Sequence, residues 1–343
     1  MSLKSPLLNV RSAAVAAVCG ALLAGLSPTA ANALEAVSVR LKWVAQTQFA
    51  GFYVAKAKGF YESEGLDVTI NPGGPNLNGG TLVATGSDDF ALSGSIENLL
   101  SSRAKGLPLT GIAMLLQTTP SAYVAHADSG INGPADFKGK TVSTFFTGAQ
   151  NILFGVLSEQ GLMEGEVNVV PQAVTMAPFI DRQVDVATVM VYNELNVLKK
   201  RGVNDIKVFY PHDYGVNFPS DPIITNTKTI EERPDVVQAF LNGSLRGWKY
   251  AIENPDEAVE IVMQAASGLE PEHQKSMLIA YGEIMKAGVA PEKGLGEMHL
   301  PDLNEARDLL IKREVIDNSL TVEDVIDASF LAKVPAEFRE IKN

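Results

Sequence analysis

The sequence predicts an α/β protein built from two βαβ units, and three observations support this. Short β-branched runs alternate with helical patterns from Val37 onward, which is typical of parallel α/β architecture. The alternation starts again near Asn132, and chains of about 300 residues usually form two domains. After residues 223–225 the pattern changes to long helices, so the chain is expected to return to its first unit.

The N-terminus has the pattern of a secretory signal peptide. Lys4 and Arg11 precede an apolar run at 12–26 that is too short to span a bilayer comfortably. The sequence ANA at 31–33 fits cleavage after Ala33. We therefore predict export to the periplasm, with residues 1–33 removed. An uncleaved anchor and lipidation at Cys19 are the alternatives.

Charge and cysteine content exclude several classes of function. The formal net charge is −12, and removal of the cations Lys4 and Arg11 gives −14. An acidic chain disfavours nucleic acid and anionic membrane surfaces. Cys19 is the only cysteine of the sequence, so the processed chain would carry no disulfide, thiolate metal site or cysteine nucleophile.

The first unit is predicted from alternating and helical spacings. Thr47 is placed to cap a helix that ends near Gly59, and a second helix runs from Ile96 to a stop at Gly106. The strands are predicted at 37–41, 66–70, 89–92 and 109–115.

The second unit and the C-terminal helices complete the pattern. Strands are predicted at 140–143, 167–170, 184–190 and 206–210, with helices between them, and long helices at 234–254, 255–266, 272–285 and 302–312. Segments near 122–126 and 222–225 are predicted as hinge strands. Lobe one would comprise 34–125 and 226–343, and lobe two 126–225.

Several short motifs, taken in order, resemble one superfamily. They are LKW at 41–43, GFYVA at 51–55, KGFY at 58–61, EGLDV at 64–68, DFKGKTV at 136–142, VDVA at 184–187, YNE at 192–194 and RGW at 246–248. The superfamily comprises the nitrate-, sulfonate-, taurine- and thiamine-precursor-binding proteins, and the resemblance covers essentially the whole chain after residue 33.

The resemblance implies a type II periplasmic-binding-protein fold whose lobes close over a ligand. It also implies a monomeric solute-binding component of an ABC importer, which delivers a small heteroaromatic ligand to a membrane permease and needs no cofactor. The loop NPGGP at 71–75 and Trp43 look most like the subgroup that binds pyrimidine precursors of thiamine, such as N-formyl-4-amino-5-aminomethyl-2-methylpyrimidine. Riboflavin and sulfonate or taurine remain alternative ligands.

The same superfamily contains an enzyme, the fungal thiamine-pyrimidine synthase, which consumes its own histidine and pyridoxal phosphate. That chemistry needs a Schiff-base lysine, a nearby histidine, a phosphate loop and a cysteine-rich stretch. The matching segment here, 92–98, has Ser93 in place of the lysine and no histidine. The segments at 144–150 and 213–218 likewise lack the phosphate loop and the cysteines. We therefore expect a binding protein, with a synthase-like enzyme as the alternative.

Trp43 is the first candidate ligand-binding residue, because it follows a strand and a flat indole suits stacking on a heteroaromatic ring. Strand alternation would allow only one of Lys42 and Trp43 to face the cleft. Trp248 lies among leucines at helical spacing and is expected in the core.

Glu194 and Tyr192 are the candidates of the second unit. By the resemblance, Glu194 would accept hydrogen bonds from an exocyclic amine while Tyr192 packs on the ring. A helix-capping role for Glu194 is the alternative. Asp213 and Tyr214, in the loop before the return crossing, could line the same cleft.

Two strand-to-helix turns supply backbone N–H groups and hydroxyls. Ser93, Gly94 and Ser95 form the first turn, and Thr147, Gly148 and Gln150 form its counterpart in the second unit. Asn76, in the proline-glycine loop, is a further candidate contact. Capping and turn formation are the alternative roles of these residues.

Neither a metal site nor a catalytic motif is evident. The four histidines are scattered without a metal-binding spacing, and no nucleophile elbow occurs. The candidate loops contain few cations besides Lys42, which favours a neutral or amine-bearing ligand. Backbone N–H groups at helix N-termini could still bind an anion.

Overall fold

The computed structural model describes residues 1, 33–74, 77–146, 149–163 and 165–341 of the 343. The predicted signal peptide, apart from its first and last residues, lies outside the described residues, and so does Cys19. Leu34–Asn343 forms one compact unit. No helix within the described residues is both long and apolar enough to cross a membrane.

The described strands form two sheets of five. Their bounds are β1 (Glu35–Arg40), β2 (Leu66–Asn71), β3 (Phe90–Leu92), β4 (Leu109–Leu116), β5 (Ser121–His126), β6 (Thr141–Thr144), β7 (Asn168–Pro171), β8 (Val186–Met190), β9 (Ile206–Phe209) and β10 (Ser220–Asn226). The first sheet has the order β2-β1-β3-β10-β4, and the second has the order β7-β6-β8-β5-β9.

The two sheets share one topology. Each has a single reversed strand in the fourth place, β10 in the first sheet and β5 in the second, and the other four strands run in one direction. Each reversed strand is the one that arrives from the other sheet. The chain crosses between the sheets at residues 117–120 and 210–219. The mixed α/β fold predicted from the sequence is confirmed.

The predicted hinge segments correspond to these reversed strands. Hydrogen bonding places β5 in the second sheet, between β8 and β9, and β10 in the first sheet, between β3 and β4. The crossings themselves are therefore the irregular segments that precede them. The boundaries of the two lobes stay a prediction.

Helices cover the faces of both sheets. The α-helices are α1 (Ala50–Ala57), α2 (Phe60–Ser63), α3 (Gly79–Ala84), α4 (Ile96–Ala104), α5 (Ala149–Glu159), α6 (Ala177–Ile180), α7 (Glu194–Lys200), α8 (Thr227–Glu232), α9 (Pro234–Glu253), α10 (Pro255–Ala265), α11 (Pro271–Met285), α12 (Ala290–Lys293), α13 (Leu300–Lys312) and α14 (Ala336–Arg339). Short 3-10 turns, among them Thr47–Phe49 and Pro211–Tyr214, join them.

The largest core cluster lies between the first sheet and helices α1, α9, α10 and α11. Val37 and Val39 of β1 are buried while Ala36 is exposed, which is the alternation expected of a strand. Trp248 of α9 is fully buried, and its ring stacks on Tyr281 at a centroid distance of 5.1 Å.

One predicted helix start is wrong. Thr47 does not cap α1, because the 3-10 turn Thr47–Phe49 precedes this helix. The hydroxyl of Thr47 instead donates to the carbonyl of Gln274 at 2.7 Å and so ties the turn to α11. The side chain is fully buried, and a buried hydroxyl needs a partner that the distant helix supplies.

Candidate functional site

A cavity of about 760 Å³ lies beyond the carboxyl ends of strands from both sheets. Its lining includes residues 42, 43, 46 and 48 after β1, residues 92–95 at the end of β3, residues 145–146 and 149–152 after β6, and residues 190 and 192–194 at the end of β8. In open α/β sheets this edge is where ligands bind, because helix N-termini and strand ends converge there. The cavity is therefore the candidate ligand site.

The structure brings many of the predicted residues together. Those that line the cavity are Trp43, Ser93, Gly94, Ser95, Gln150, Tyr192 and Glu194. Asn76, Thr147 and Gly148 lie outside the described residues.

Asp213 and Tyr214 lie elsewhere, in a 3-10 turn that follows β9. β9 is the edge strand of its sheet and β5 separates it from β8, so its end is displaced from the cavity. The Asp213 carboxylate is exposed and faces His212 at 3.4 Å. Sequence reasoning could not detect this displacement, because the order of strands in a sheet depends on distant pairing.

Lys42 and Trp43 both line the cavity, which corrects the expectation that only one could. β1 ends at Arg40, and residues 42–46 form a bend, so the two-residue alternation of a strand no longer applies. The Trp43 ring meets the Phe145 ring edge-to-face, with centroids 6.0 Å apart. Because Phe145 follows β6, this aromatic contact joins the two sides of the cavity.

The ammonium of Lys42 forms an ion pair with Asp221 of β10. The Asp221 carboxylate is fully buried and also accepts the hydroxyl of Tyr281 at 2.6 Å. Its backbone has a φ of 59°, in the left-handed region, and its N–H donates to the carbonyl of Gly94 at 3.1 Å. The ion pair thus joins a partly exposed lysine of the cavity lining to a fully buried carboxylate behind it.

Glu194 is the first residue of α7 and is 8% exposed. Its Oε2 accepts the backbone N–H of Met190 at 2.9 Å, and its Oε1 accepts the amide of Asn193 at 2.7 Å. Burial raises the pKa of the carboxyl, and these hydrogen bonds oppose the shift. Glu194 therefore ties the end of β8 to the start of α7 while its side chain faces the cavity.

Tyr192 lines the cavity from the loop between β8 and α7. Its ring meets Tyr281 edge-to-face at 5.2 Å. Burial raises the pKa of its phenol well above the ordinary value, and the charges of Asp221 and Glu194 raise it further. The phenol is therefore neutral, and the ring is only 2% exposed because it packs in the cavity wall against Tyr281.

The turn after β3 is held by β10. The N–H of Ser93 donates to the carbonyl of Pro222 at 2.9 Å, so this amide is already engaged. Ser95 stands at the N-cap of α4, yet its hydroxyl donates to the Asn98 side chain at 3.3 Å and accepts no N–H of the helix backbone. The capping alternative is thus not realised by the Ser95 side chain.

Sequence reasoning missed a polar face of α4. The residues of this face that line the cavity are Glu97, Asn98, Ser101, Ser102 and Lys105. Their spacing of i, i+1, i+4, i+5 and i+8 is that of one helix face, and it was the signal that could have found them. The helical spacing of Ile96, Leu99 and Leu100 had indicated only the apolar face of this helix.

Glu97 is the acidic residue of this face, and it is buried, at 1% exposure. Its Oε1 accepts the hydroxyl of Ser101 at 2.9 Å and the amide of Asn151 at 2.7 Å. Its Oε2 has no hydrogen-bond partner, and burial raises the pKa of the carboxyl. Because Asn151 belongs to α5, this hydrogen bond is a second contact between the two sides of the cavity.

The described residues contain no cluster of three or more histidine, cysteine, aspartate or glutamate side chains that could hold a metal ion. The polar groups of the described cavity lining are hydroxyls, amides, two carboxyls and two lysine ammoniums, and they lie beside aromatic rings. Such a lining is suited to a polar organic molecule.

The two sheets of this chain, with a cavity at their strand ends, have the architecture of the periplasmic-binding-protein fold. The nitrate-binding protein NrtA of Synechocystis matches with a TM-score of 0.67 and 16% identity, over 89% of this chain and 91% of that one. The aliphatic sulphonate-binding protein SsuA of Escherichia coli matches with a TM-score of 0.63 and 15% identity, over 85% and 92%. These neighbours share the fold.

The family follows from the sequence. The model of the "NMT1/THI5 like" family matches residues 46–258, and this chain belongs to that family. The formylaminopyrimidine-binding protein of Halalkalibacterium halodurans is 31% identical over 68% of this chain and 71% of its own length. The riboflavin-binding protein RibY of Chloroflexus aurantiacus is 29% identical over 69% and 68%.

The family also includes proteins named as enzymes. A 4-amino-5-hydroxymethyl-2-methylpyrimidine phosphate synthase of Legionella pneumophila is 28% identical over 70% of this chain and 77% of its own length. Binding proteins and synthases are therefore both among the relatives, and the residues of the cavity must distinguish them.

Proposed function

We propose that this chain is the solute-binding component of an ABC importer and that it captures a small heteroaromatic molecule bearing an amine donor. The pyrimidine precursors of thiamine, such as N-formyl-4-amino-5-aminomethyl-2-methylpyrimidine, are the ligand class. The name of the Halalkalibacterium relative supports this assignment. The importer permease would be its membrane partner, and the chain would act as a monomer.

One observation carries the proposal: aromatic rings and a buried carboxyl face the same cavity. Trp43 and Phe145 are half-buried and offer ring surfaces to a ligand, Tyr192 lines the same cavity at 2% exposure, and Glu194 is the acceptor beside them. An aminopyrimidine is flat and carries exocyclic N–H donors, so it complements both features. An acceptor that faces a donor in a site shielded from water gives strong orientation as well as affinity.

The residues of this cavity favour a ligand-binding protein over a pyrimidine synthase. The resemblance to the synthase requires a lysine where this chain has Ser93. Of the two lysines among the described lining residues, Lys42 is paired with Asp221 and Lys105 is exposed at the end of α4. A Schiff-base amine must be deprotonated and positioned, which an ion-paired or solvated ammonium is not. We therefore propose that the chain is not an enzyme.

A riboflavin-like molecule is the second candidate ligand, because a polar helix face runs along the cavity. The lining residues of this face extend over nine residues from Glu97 to the C-cap Lys105, which is about 12 Å along the helix axis. Serine hydroxyls and an asparagine amide along this length could bind a polyhydroxyl chain attached to a flat ring. The RibY relative supports this reading.

Export is the remaining part of the proposal. The pattern at 12–33 supports cleavage after Ala33, so protein recovered from the periplasm should begin at Leu34. Intact-mass analysis tests this. A mass that retains residues 1–33, or an acyl group on Cys19, would contradict it.

The deciding experiment is mass spectrometry of small molecules released when the purified protein is denatured. An aminopyrimidine is expected, and release of a flavin would favour the second candidate. The same protein mixed with pyridoxal phosphate should show no Schiff-base absorbance. A covalent lysine adduct in the cavity would favour the synthase instead.

Fluorescence gives an independent test of Trp43. The chain has two tryptophans, and a Trp248→Phe variant leaves only Trp43 to report on the cavity. We expect an added aminopyrimidine to quench the remaining emission, because an aromatic ligand would stack on the indole. Binding confirmed by calorimetry with no change in emission would remove Trp43 from the contact surface.

A further inference from the structure

Neither lysine of the described cavity lining is placed to bind an anionic ligand, because one is ion-paired and the other is exposed to solvent. Among the described lining residues, Lys42 and Lys105 are the cations. Lys105 is exposed, so water screens its charge. Lys42 adjoins Trp43 and would be the natural partner of a sulfonate or phosphate group. Its ammonium is instead paired with Asp221.

Asp221 is fixed from three directions behind the cavity wall. Tyr281 donates its hydroxyl to the carboxylate at 2.6 Å, the Asp221 N–H donates to Gly94, and β10 anchors the backbone between β3 and β4. The burial of Tyr281 raises the pKa of its phenol, and the adjacent Asp221 charge raises it further, so this phenol stays a donor. The carboxylate therefore has a fixed position from which it holds the Lys42 ammonium.

We propose that Asp221 is a specificity-determining residue that neutralises Lys42, so that the cavity rejects anionic ligands. With Lys42 paired, the remaining acids of the lining are Glu97 and Glu194, and both are acceptors. A ligand that offers N–H or O–H donors is then favoured, and among the described lining residues an anion finds no uncompensated cation near Trp43. The role of Asp221 rests on the proposed function in one respect: both take this cavity as the ligand site.

The identity of the side chain supports a role for its charge. The left-handed backbone of Asp221 is tolerated by asparagine at least as well as by aspartate. An asparagine carbonyl would also accept the Tyr281 hydroxyl. What only aspartate supplies is a charge facing Lys42, and buried ion pairs are a poor source of stability compared with neutral packing.

The test compares Asp221→Asn with the double variant Lys42→Met/Asp221→Asn. Inorganic phosphate at low ionic strength is the probe, measured by isothermal titration and by thermal melting. Wild type should bind it negligibly. Asp221→Asn should bind it at least about ten-fold more tightly, since a freed ammonium makes charge-assisted hydrogen bonds. The double variant, which lacks the ammonium, should lose this gain.

Either of two results would overturn the inference: equal phosphate binding by wild type and Asp221→Asn, or a gain that persists in the double variant. A further measurement needs no substitution. Wild type should bind 4-amino-5-hydroxymethyl-2-methylpyrimidine more tightly than its phosphate ester, and equal or reversed affinities would refute the role of Asp221 even if Asp221→Asn failed to fold. If wild type binds neither pyrimidine, the proposed ligand class fails, and the inorganic phosphate series still decides the role of Asp221.

Discussion

Glu194 holds the backbone at the end of β8 and also presents a carboxyl to the cavity. Its two oxygens accept the Met190 N–H and the Asn193 amide. A carboxylate oxygen has two lone pairs, so each oxygen can accept a further donor from a ligand. The helix-start role and the ligand role, which the sequence left as alternatives, are compatible in this geometry.

We expect Glu194→Gln to fold and to bind the aminopyrimidine roughly ten- to hundred-fold more weakly. Glutamine keeps one acceptor, but its NH₂ group places a donor against the Asn193 amide or against the ligand. Calorimetric titration alongside a thermal melt measures both effects. Glu62→Gln, at the exposed start of α2 and outside the cavity lining, is the matched control. Unchanged affinity with a lower melting temperature would leave Glu194 only its structural role.

Glu97 predicts a pH dependence of stability. Burial raises its folded-state pKa above the ordinary value of 4.5. The folded state therefore binds this proton more tightly than the unfolded state does. The resulting stabilisation is fully present below about pH 4.5 and is lost as the pH rises through the folded pKa. Melting temperatures between about pH 4.5 and 8 should show this loss.

In Glu97→Gln the loss of stability with rising pH should disappear. A neutral amide keeps an acceptor for Ser101 and Asn151 and carries no charge to desolvate. The difference in melting temperature between wild type and Glu97→Gln should therefore change with pH. Glu260→Gln, on the exposed face of α10, should parallel wild type. A pH profile of Glu97→Gln that also parallels wild type would contradict the assignment.

The sequence predicted the positions of site residues that depend on neighbouring residues in the chain. It did not predict positions that depend on packing against distant parts of the chain. Trp43 and Glu194 follow strands, so their position at the cavity edge could be predicted. Strand alternation was expected to let only one of Lys42 and Trp43 face the cavity, and the bend at 42–46 interrupts that alternation. The buried partner Asp221 is 179 residues from Lys42 along the chain, and no local pattern indicates that pair.

At the scale of elements, the contact between α1 and α9 depends on glycine. A Cβ at Gly247 would lie 2.1 Å from the backbone oxygen of Gly51, and a Cβ at Gly51 would lie 2.3 Å from the Trp248 ring. The two helix backbones therefore approach more closely than any side chain at these positions allows. α1 follows the bend that carries Trp43, so this contact also supports the cavity.

Gly247→Ala is expected to destabilise the protein by about 1–3 kcal/mol or more, because backbone atoms must move to admit the methyl group. Gly282→Ala in α11 is the control. Its Cβ would meet nothing closer than 3.5 Å, so it should be neutral or stabilising by roughly 0.5–1 kcal/mol. Denaturant unfolding of the two variants measures the difference. Equal stabilities would mean that the helices can separate without cost.

The helix starts that a proline marks were predictable to within one residue, whereas α13 begins at Leu300, two residues before its predicted start. α9 and α10 begin at Pro234 and Pro255, as predicted, and α11 begins at Pro271, one residue before its predicted start. Proline favours the first turn, where its missing N–H costs no hydrogen bond. Strand direction was not predictable in this way. β5 and β10 look like any short apolar strand, and their reversal depends on pairing with strands far along the chain.

At the scale of the whole molecule, several contacts join the two sides of the cavity, among them Tyr192 with Tyr281 and Asn193 with His273. Two of these contacts connect residues that both line the cavity: the edge-to-face pair of Trp43 and Phe145, and the hydrogen bond between Glu97 and Asn151. The chain passes between the sheets only at 117–120 and 210–219 within the described residues. We infer that these segments act as hinges and that the two contacts stabilise a closed state around the ligand.

Asn151→Ala tests this inference, because it removes the amide that donates to Glu97 without removing an aromatic ring or Glu194. A hydrogen bond to a charged or partly charged acceptor is worth about 1.5–3 kcal/mol. If the bond forms only on closure, the affinity for the ligand should fall by up to roughly a hundred-fold, mainly through faster dissociation. The control is Asn304→Ala on α13, because the Asn304 amide donates only to Leu300 of its own helix, and this variant should bind the ligand normally.

The same substitution should also change the pH dependence of stability. The amide of Asn151 lowers the pKa of Glu97, so its loss should move the pH at which stability declines to a higher value. Stopped-flow dissociation and a pH series of melts measure both effects on one variant. A shifted pH profile with unchanged dissociation would mean that this bond stabilises the fold but takes no part in closing the cavity.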